Sequence, residues 1–143
     1  MRAKLGFEGR APLVGERVIC LRNHREYGVF NGMQATVVSV EPAGKHRLNM
    51  IVKDDLGNES PAMSCEARQF GSTQTLKKTR YEVALWDWGY ALTVHKSQGS
   101  EWPRVLVLEQ IHPEWSASRW SYTAATRAAE KLTYVRRPAR AAA

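Results

Sequence analysis

Two cysteines in 143 residues, Cys20 and Cys65, are too few for a disulfide framework or a cysteine-built zinc site. They read as small buried hydrophobes. The histidines His24, His46, His95 and His112 are spaced too widely to suggest a metal centre. No apolar run approaches the length of a membrane span. The opening residues, Met1-Arg2-Ala3-Lys4-Leu5-Gly6-Phe7-Glu8, lack the apolar centre of a secretion signal. Together these absences predict a protein of the cytoplasm, with no metal and no membrane partner. Also missing is any Gly-x-x-x-x-Gly-Lys-Ser/Thr loop, and no hydrophobic strand ends in Asp-Glu. Phosphoryl transfer needs a phosphate cradle and a metal ion, so this chain alone is not expected to hydrolyse a nucleoside triphosphate. Acidic side chains are the minority, 14 against 21 Lys and Arg, and the formal net charge is +7. That balance suits a polyanionic partner such as nucleic acid.

What is present is organised around Tyr90-Ala91-Leu92-Thr93-Val94-His95-Lys96-Ser97-Gln98-Gly99-Ser100-Glu101-Trp102. Tyr90, Leu92 and Val94 alternate with smaller residues, which predicts a strand. The seven residues from His95 to Glu101 then carry no aliphatic or aromatic side chain. Such a run cannot fill a core, and it delivers hydroxyls, an imidazole, an ammonium, an amide and a glycine together, a set suited to phosphates. Gly99 allows close backbone approach, Gln98 and Ser100 add side-chain donors, and Glu101 can accept from ribose hydroxyls. The plainer alternative is a solvated loop after an edge strand.

Residues 1–14 read as a linker or a truncated edge. Strands are expected at 17–22, 33–40 and 48–53, joined by Asn31-Gly32, Pro42-Ala43-Gly44-Lys45 and Asp54-Asp55-Leu56-Gly57. Short strands at this spacing suggest a small β-barrel or meander. Residues 58–80 are broken by Pro61 and Gly71. They end in the basic cluster Lys77, Lys78 and Arg80, which reads equally as part of a nucleic-acid path or as a solvated strand. Val105-Leu106-Val107-Leu108, within a strand over 104–109, suggests burial on both faces of a parallel sheet. A helix is expected over 116–130, with Trp120, Ala124 and Ala128 on one stripe, and a strand at 132–135. Alternating strands and helices between 90 and 135 are an α/β signature. Arg127 falls beside the buried stripe of that helix and is expected to project along its rim. Its fixed charge and paired donors suit a phosphate; a surface pair with Glu130 is the alternative. Residues 137–143 read as a disordered tail.

Ala91-Leu92-Thr93-Val94-His95-Lys96-Ser97-Gln98-Gly99-Ser100-Glu101 resembles motif V of superfamily 1 helicases, in the branch that includes RecD and Dda. Ser121-Tyr122-Thr123-Ala124-Ala125-Thr126-Arg127-Ala128 resembles motif VI, and Gly28-Val29-Phe30-Asn31-Gly32 resembles the opening of the small β-domain inserted in that branch. The blocks come in the family's order and cover most of 15–135. The resemblance implies an α/β fold: part of a RecA-like second lobe of the P-loop NTPases, with an inserted SH3-like β-barrel. The barrel would occupy 15–82 and the lobe 83–136.

It further implies a C-terminal helicase fragment that serves DNA repair and recombination, with 5′-to-3′ polarity. Arg127 would be the arginine finger reaching the γ-phosphate of ATP. Gln98, Gly99, Ser100 and Glu101 would face the nucleotide, and Thr93, His95 and Lys96 the DNA backbone. ATP and Mg²⁺ would be held mainly by an N-terminal helicase lobe, present in a longer protein or supplied in trans. Single-stranded DNA would be the other partner. Two alternatives remain open at this point: a stand-alone nucleic-acid-binding module, and a helicase-interacting protein without motor activity.

Overall fold

The computed structural model describes residues 2–77, 80–110 and 112–136. The chain divides into two compact units, Met1–Ala91 and Leu92–Ala143. The division falls later than the expected 82/83 boundary because Val83, Ala84, Leu85 and Trp86 are buried and the strand that follows belongs to the first sheet.

In the first unit, β1 (Arg17–Cys20), β2 (Gln34–Pro42), β3 (Arg47–Asp54), β4 (Met63–Glu66) and β5 (Trp86–Trp88) form an antiparallel sheet in the order β4-β3-β2-β1-β5. Alternate residues point inward, as the two-residue period of a strand requires: Ala35 and Val37 from β2, then Leu48, Met50 and Val52 from β3. They meet Val18, Cys20, Met63, Cys65 and Trp86 in one core. Both cysteines are therefore buried and form no disulfide, and burial pushes the Cys20 thiol up to about 11. A single bridge joins Cys65 to Ala84, next to β5. One bridge is not a strand pair, so the sheet is not a closed barrel.

Residues 1–14 are more than a linker. Arg2 lies at 3.8 Å over the Trp88 ring and donates to both carboxylate oxygens of Glu16, a residue with no exposed surface. Glu16 also accepts from the Leu13 backbone N–H and the Tyr90 hydroxyl. Burial raises the Glu16 pKa, but the Arg2 hydrogen bond, the other two donors and the Arg2 charge together hold it below the usual carboxylate range.

Gly89 follows β5 where two backbones nearly touch. A Cβ there would lie 3.0 Å from the N, C and O atoms of Val18, so only glycine fits without the strands parting. Gly89→Ala is expected to cost about 1–3 kcal/mol, the usual range for overpacking. A chemical denaturation midpoint unchanged from the parent protein would contradict this.

In the second unit β6 (Trp102–Leu108) and β7 (Ala128–Val135) pair in parallel, connected through α1 (Ala117–Ala125). The α/β reading holds here. Val107, Trp120 and Ala124 form a small core, with Val94, Val105 and Tyr134 packed on it.

Three local expectations fail. Residues 90–94 are not a strand: among the described residues no strand pairs with them, and Thr93 and Val94 instead accept from the backbone N–H of Ser97 in a turn. The helix ends at Ala125, because Ala128 pairs with Trp102 and opens β7; strand pairing overrides the helix preference of alanine. Burial is one-sided: Leu106 and Leu108 remain 61% and 65% exposed, since a single helix covers a single face. Lys78 and residues 137–143 lie outside the described residues.

Candidate functional site

The polar run that the sequence singles out folds as a compact turn. Thr93 Oγ1 accepts from the Lys96 backbone N–H at 3.4 Å. Ser97 N–H is shared between the carbonyls of Thr93 and Val94, and Ser97 Oγ donates to Val94 O at 2.8 Å. Ser97 is buried, so it pins the turn rather than presenting a group to a ligand. Gly99 has φ of +82° and open space where a Cβ would sit; glycine is required there for the backbone conformation alone. The chain then enters β6.

Thr93, His95, Lys96, Gln98, Gly99 and Glu101 are exposed along this turn, and Ser100 is half-buried. All the sequence-selected side chains of the stretch thus reach the surface within one short segment. Arg127 comes to the same place from the other direction. It lies in the bend between α1 and β7, and its backbone carbonyl accepts from Trp102 N–H at 2.9 Å. Its guanidinium donates to Ser100 O at 3.0 Å, Thr123 O at 3.1 Å and Thr126 Oγ1 at 3.1 Å. Arg127 therefore ties the end of the polar turn to the end of the helix. No Arg127–Glu130 ion pair is found among the described residues. Nη1 and Nη2 each keep one further N–H beyond these bonds.

Next to the turn is a cleft of about 310 Å³ lined by Val94, His95, Gln98, Trp115, Arg119 and Thr123, among others. His95 meets the Trp115 ring edge-on, with centroids 5.1 Å apart and planes at 67°. His112 meets the same ring at 5.6 Å. Sequence reading passed over Trp115 and Arg119. The only available signal was an aromatic residue in a polar segment just before a helix. Among the described residues, no three of His, Cys, Asp and Glu gather closely enough to hold a metal ion. Among the described residues no helix is long and apolar enough to cross a membrane.

Residues 89–135 match the model of the UvrD-like helicase C-terminal domain. The ATP-dependent RecD2 DNA helicase of Deinococcus radiodurans is 33% identical over 119 residues, 82% of this chain. The match takes in only 14% of that relative's length. Among solved structures, the Pif1 helicase from Bacteroides in complex with ADP-AlF3 and ssDNA is similar at 25% identity and a TM-score of 0.53. That likeness covers 87% of this chain and 29% of the Pif1 chain. A structure of two coordinating Pif1 helicases at forked dsDNA shares the fold, with 22% identity and a TM-score of 0.52 over 85% of this chain and 27% of that one.

Proposed function

We propose, because this chain is a superfamily 1 helicase C-terminal region, that it supplies one side of an ATP-driven DNA motor of 5′-to-3′ polarity. It contributes an arginine finger and part of the path of single-stranded DNA. An N-terminal helicase lobe, in a longer protein or in trans, contributes the phosphate loop. The observation that carries this reading is the position of Arg127 where the two sequence motifs meet. Its charge is permanent, its side chain is held by three oxygens of the chain itself, and donors are left over for an incoming phosphate. Gln98, Gly99, Ser100 and Glu101 lie on the adjoining turn and would face the nucleotide. ATP with Mg²⁺ supplies the phosphoryl transfer that drives such a motor. The metal would sit on carboxylates of the other lobe.

Two further features support the wider reading. The exposed Leu106 and Leu108 form an apolar face that the rest of a RecA-like lobe would cover. The five-stranded antiparallel sheet of the first unit, open as it stands, lies where an SH3-like insert would be expected.

Thr93, His95 and Lys96 would meet the DNA backbone. In an assembled motor, Thr93→Ala and His95→Ala are each expected to raise the single-stranded DNA concentration needed for half-maximal ATPase by about tenfold. That is the scale of one lost hydrogen bond to a charged group. The Michaelis constant for ATP should stay constant. Thr93→Ser should behave as wild type, since it keeps both the turn-capping oxygen and the hydroxyl donor. An unchanged DNA requirement with weakened ATP binding would mean that the two ends of the turn are assigned the wrong way round.

A further inference from the structure

We propose that the cleft beside the polar turn receives one unstacked nucleobase of a single-stranded nucleic acid, with the Trp115 indole as its stacking platform. The inference rests on the reading that this chain binds single-stranded DNA. It adds a base contact to a path otherwise made of phosphate contacts.

The chemistry of the lining favours a base over a phosphate. Arg119 and Glu114 both border the cleft, so its charge is balanced. Glu114 also lies 3.9 Å from the His112 imidazole. An anion would meet the carboxylate as well as the guanidinium. A neutral base would meet an amide in Gln98 and hydroxyls in Ser116 and Thr123, groups able to donate and accept along its edge. The apolar floor is Val94 and Trp120, and Trp120 is buried in the core. The position of Trp115 is the telling feature. Its ring is braced by His95 and His112, yet the residue is 40% exposed and stands outside the core formed by Val107, Trp120 and Ala124. A tryptophan held in place, part-exposed and lining the cleft costs little to order on binding, and an indole offers a π-surface on which any base can stack. His95 places this platform directly beside the candidate backbone contacts Thr93 and Lys96.

The test compares a short labelled oligothymidylate with an abasic strand of equal length, which keeps the phosphates and lacks the bases. Binding to the whole chain is followed by fluorescence anisotropy at low and moderate salt. Wild-type protein is expected to bind oligothymidylate about 5- to 150-fold more tightly than the abasic strand, the usual range for one base–aromatic stack. Trp115→Leu keeps apolar volume and removes the π-face; it should bind both strands equally, at the affinity wild type shows for the abasic one. Trp115→Phe should keep most of the difference. Equal wild-type affinity for the two strands overturns the proposal and leaves the DNA-binding reading standing. A base preference that survives Trp115→Leu, or an equal loss on both strands, also overturns it. Absence of salt-sensitive binding to either strand removes both the proposal and the reading beneath it.

Discussion

Arg127→Ala, in a motor assembled from this chain and a lobe carrying the phosphate loop, is expected to cut ATP turnover by about 10³- to 10⁵-fold. That loss corresponds to about 4–7 kcal/mol of barrier. In the proposed finger role, the guanidinium would meet negative charge on the transferred phosphoryl group, and the variant removes it. The structural cost is separate and smaller. The side chain loses hydrogen bonds to Ser100 O, Thr123 O and Thr126 Oγ1, each worth about 1 kcal/mol at a partly exposed site. A moderate fall in melting temperature is therefore expected alongside the loss of turnover. Arg127→Lys should not restore turnover, because an ammonium cannot keep all three internal bonds and still offer paired donors outward. Turnover and melting temperature measured on the same variant separate the two effects. Near-normal turnover, or a loss fully matched by unfolding, would reduce Arg127 to a tie between turn and helix.

Arg2→Ala is expected to destabilise the first unit by about 3–5 kcal/mol at neutral pH. This is the range for stripping one partner from a buried ion pair. The variant strips Arg2 from a carboxylate that has no exposed surface in the parent and leaves it, among the described residues, the Leu13 N–H and the Tyr90 hydroxyl. It also removes the guanidinium from the Trp88 ring. The pH dependence has a definite sign. The folded-state pKa of Glu16 is lowered, so its contribution is fully present above the ordinary carboxylate pKa and is lost as pH falls through the folded value. Without Arg2, desolvation dominates and the folded pKa rises, so acid unfolding should begin at higher pH in the variant. Thermal melts over an acid-to-neutral pH series would show it. Coincident melting curves for parent and variant would contradict the account.

The strands of the first unit are readable locally because their cores are written in a two-residue period: Leu48, Met50 and Val52 can fill one face only as a strand. The organising stretch misleads for a related reason. Tyr90, Leu92 and Val94 have the same period, but a strand needs a neighbour, and the Thr93 side chain offers the backbone a turn instead. Ala128 and Ala129 read as helix because alanine favours it; the pairing of Ala128 with Trp102 is a long-range fact that no local window contains. The same holds for Arg2, whose partners Glu16 and Trp88 are remote in sequence. The exposure of the polar run was largely legible, since it has little to give a core: His95, Lys96, Gln98, Gly99 and Glu101 are exposed and Ser100 is half-buried, while Ser97 turns inward because its hydroxyl bonds the Val94 carbonyl. Trp115 was not legible, since a lone aromatic beside a helix gives no hint that two imidazoles brace it.

The central claim is that this chain is the finger-bearing part of a two-part motor. It is tested most directly by DNA-stimulated ATP hydrolysis from three preparations: this chain alone, a phosphate-loop-bearing helicase lobe alone, and the two co-expressed. The account predicts turnover only from the co-expressed pair, dependent on single-stranded DNA and lost with Arg127→Ala. Turnover by this chain alone, or a stable co-expressed pair whose activity is indifferent to Arg127, would contradict it.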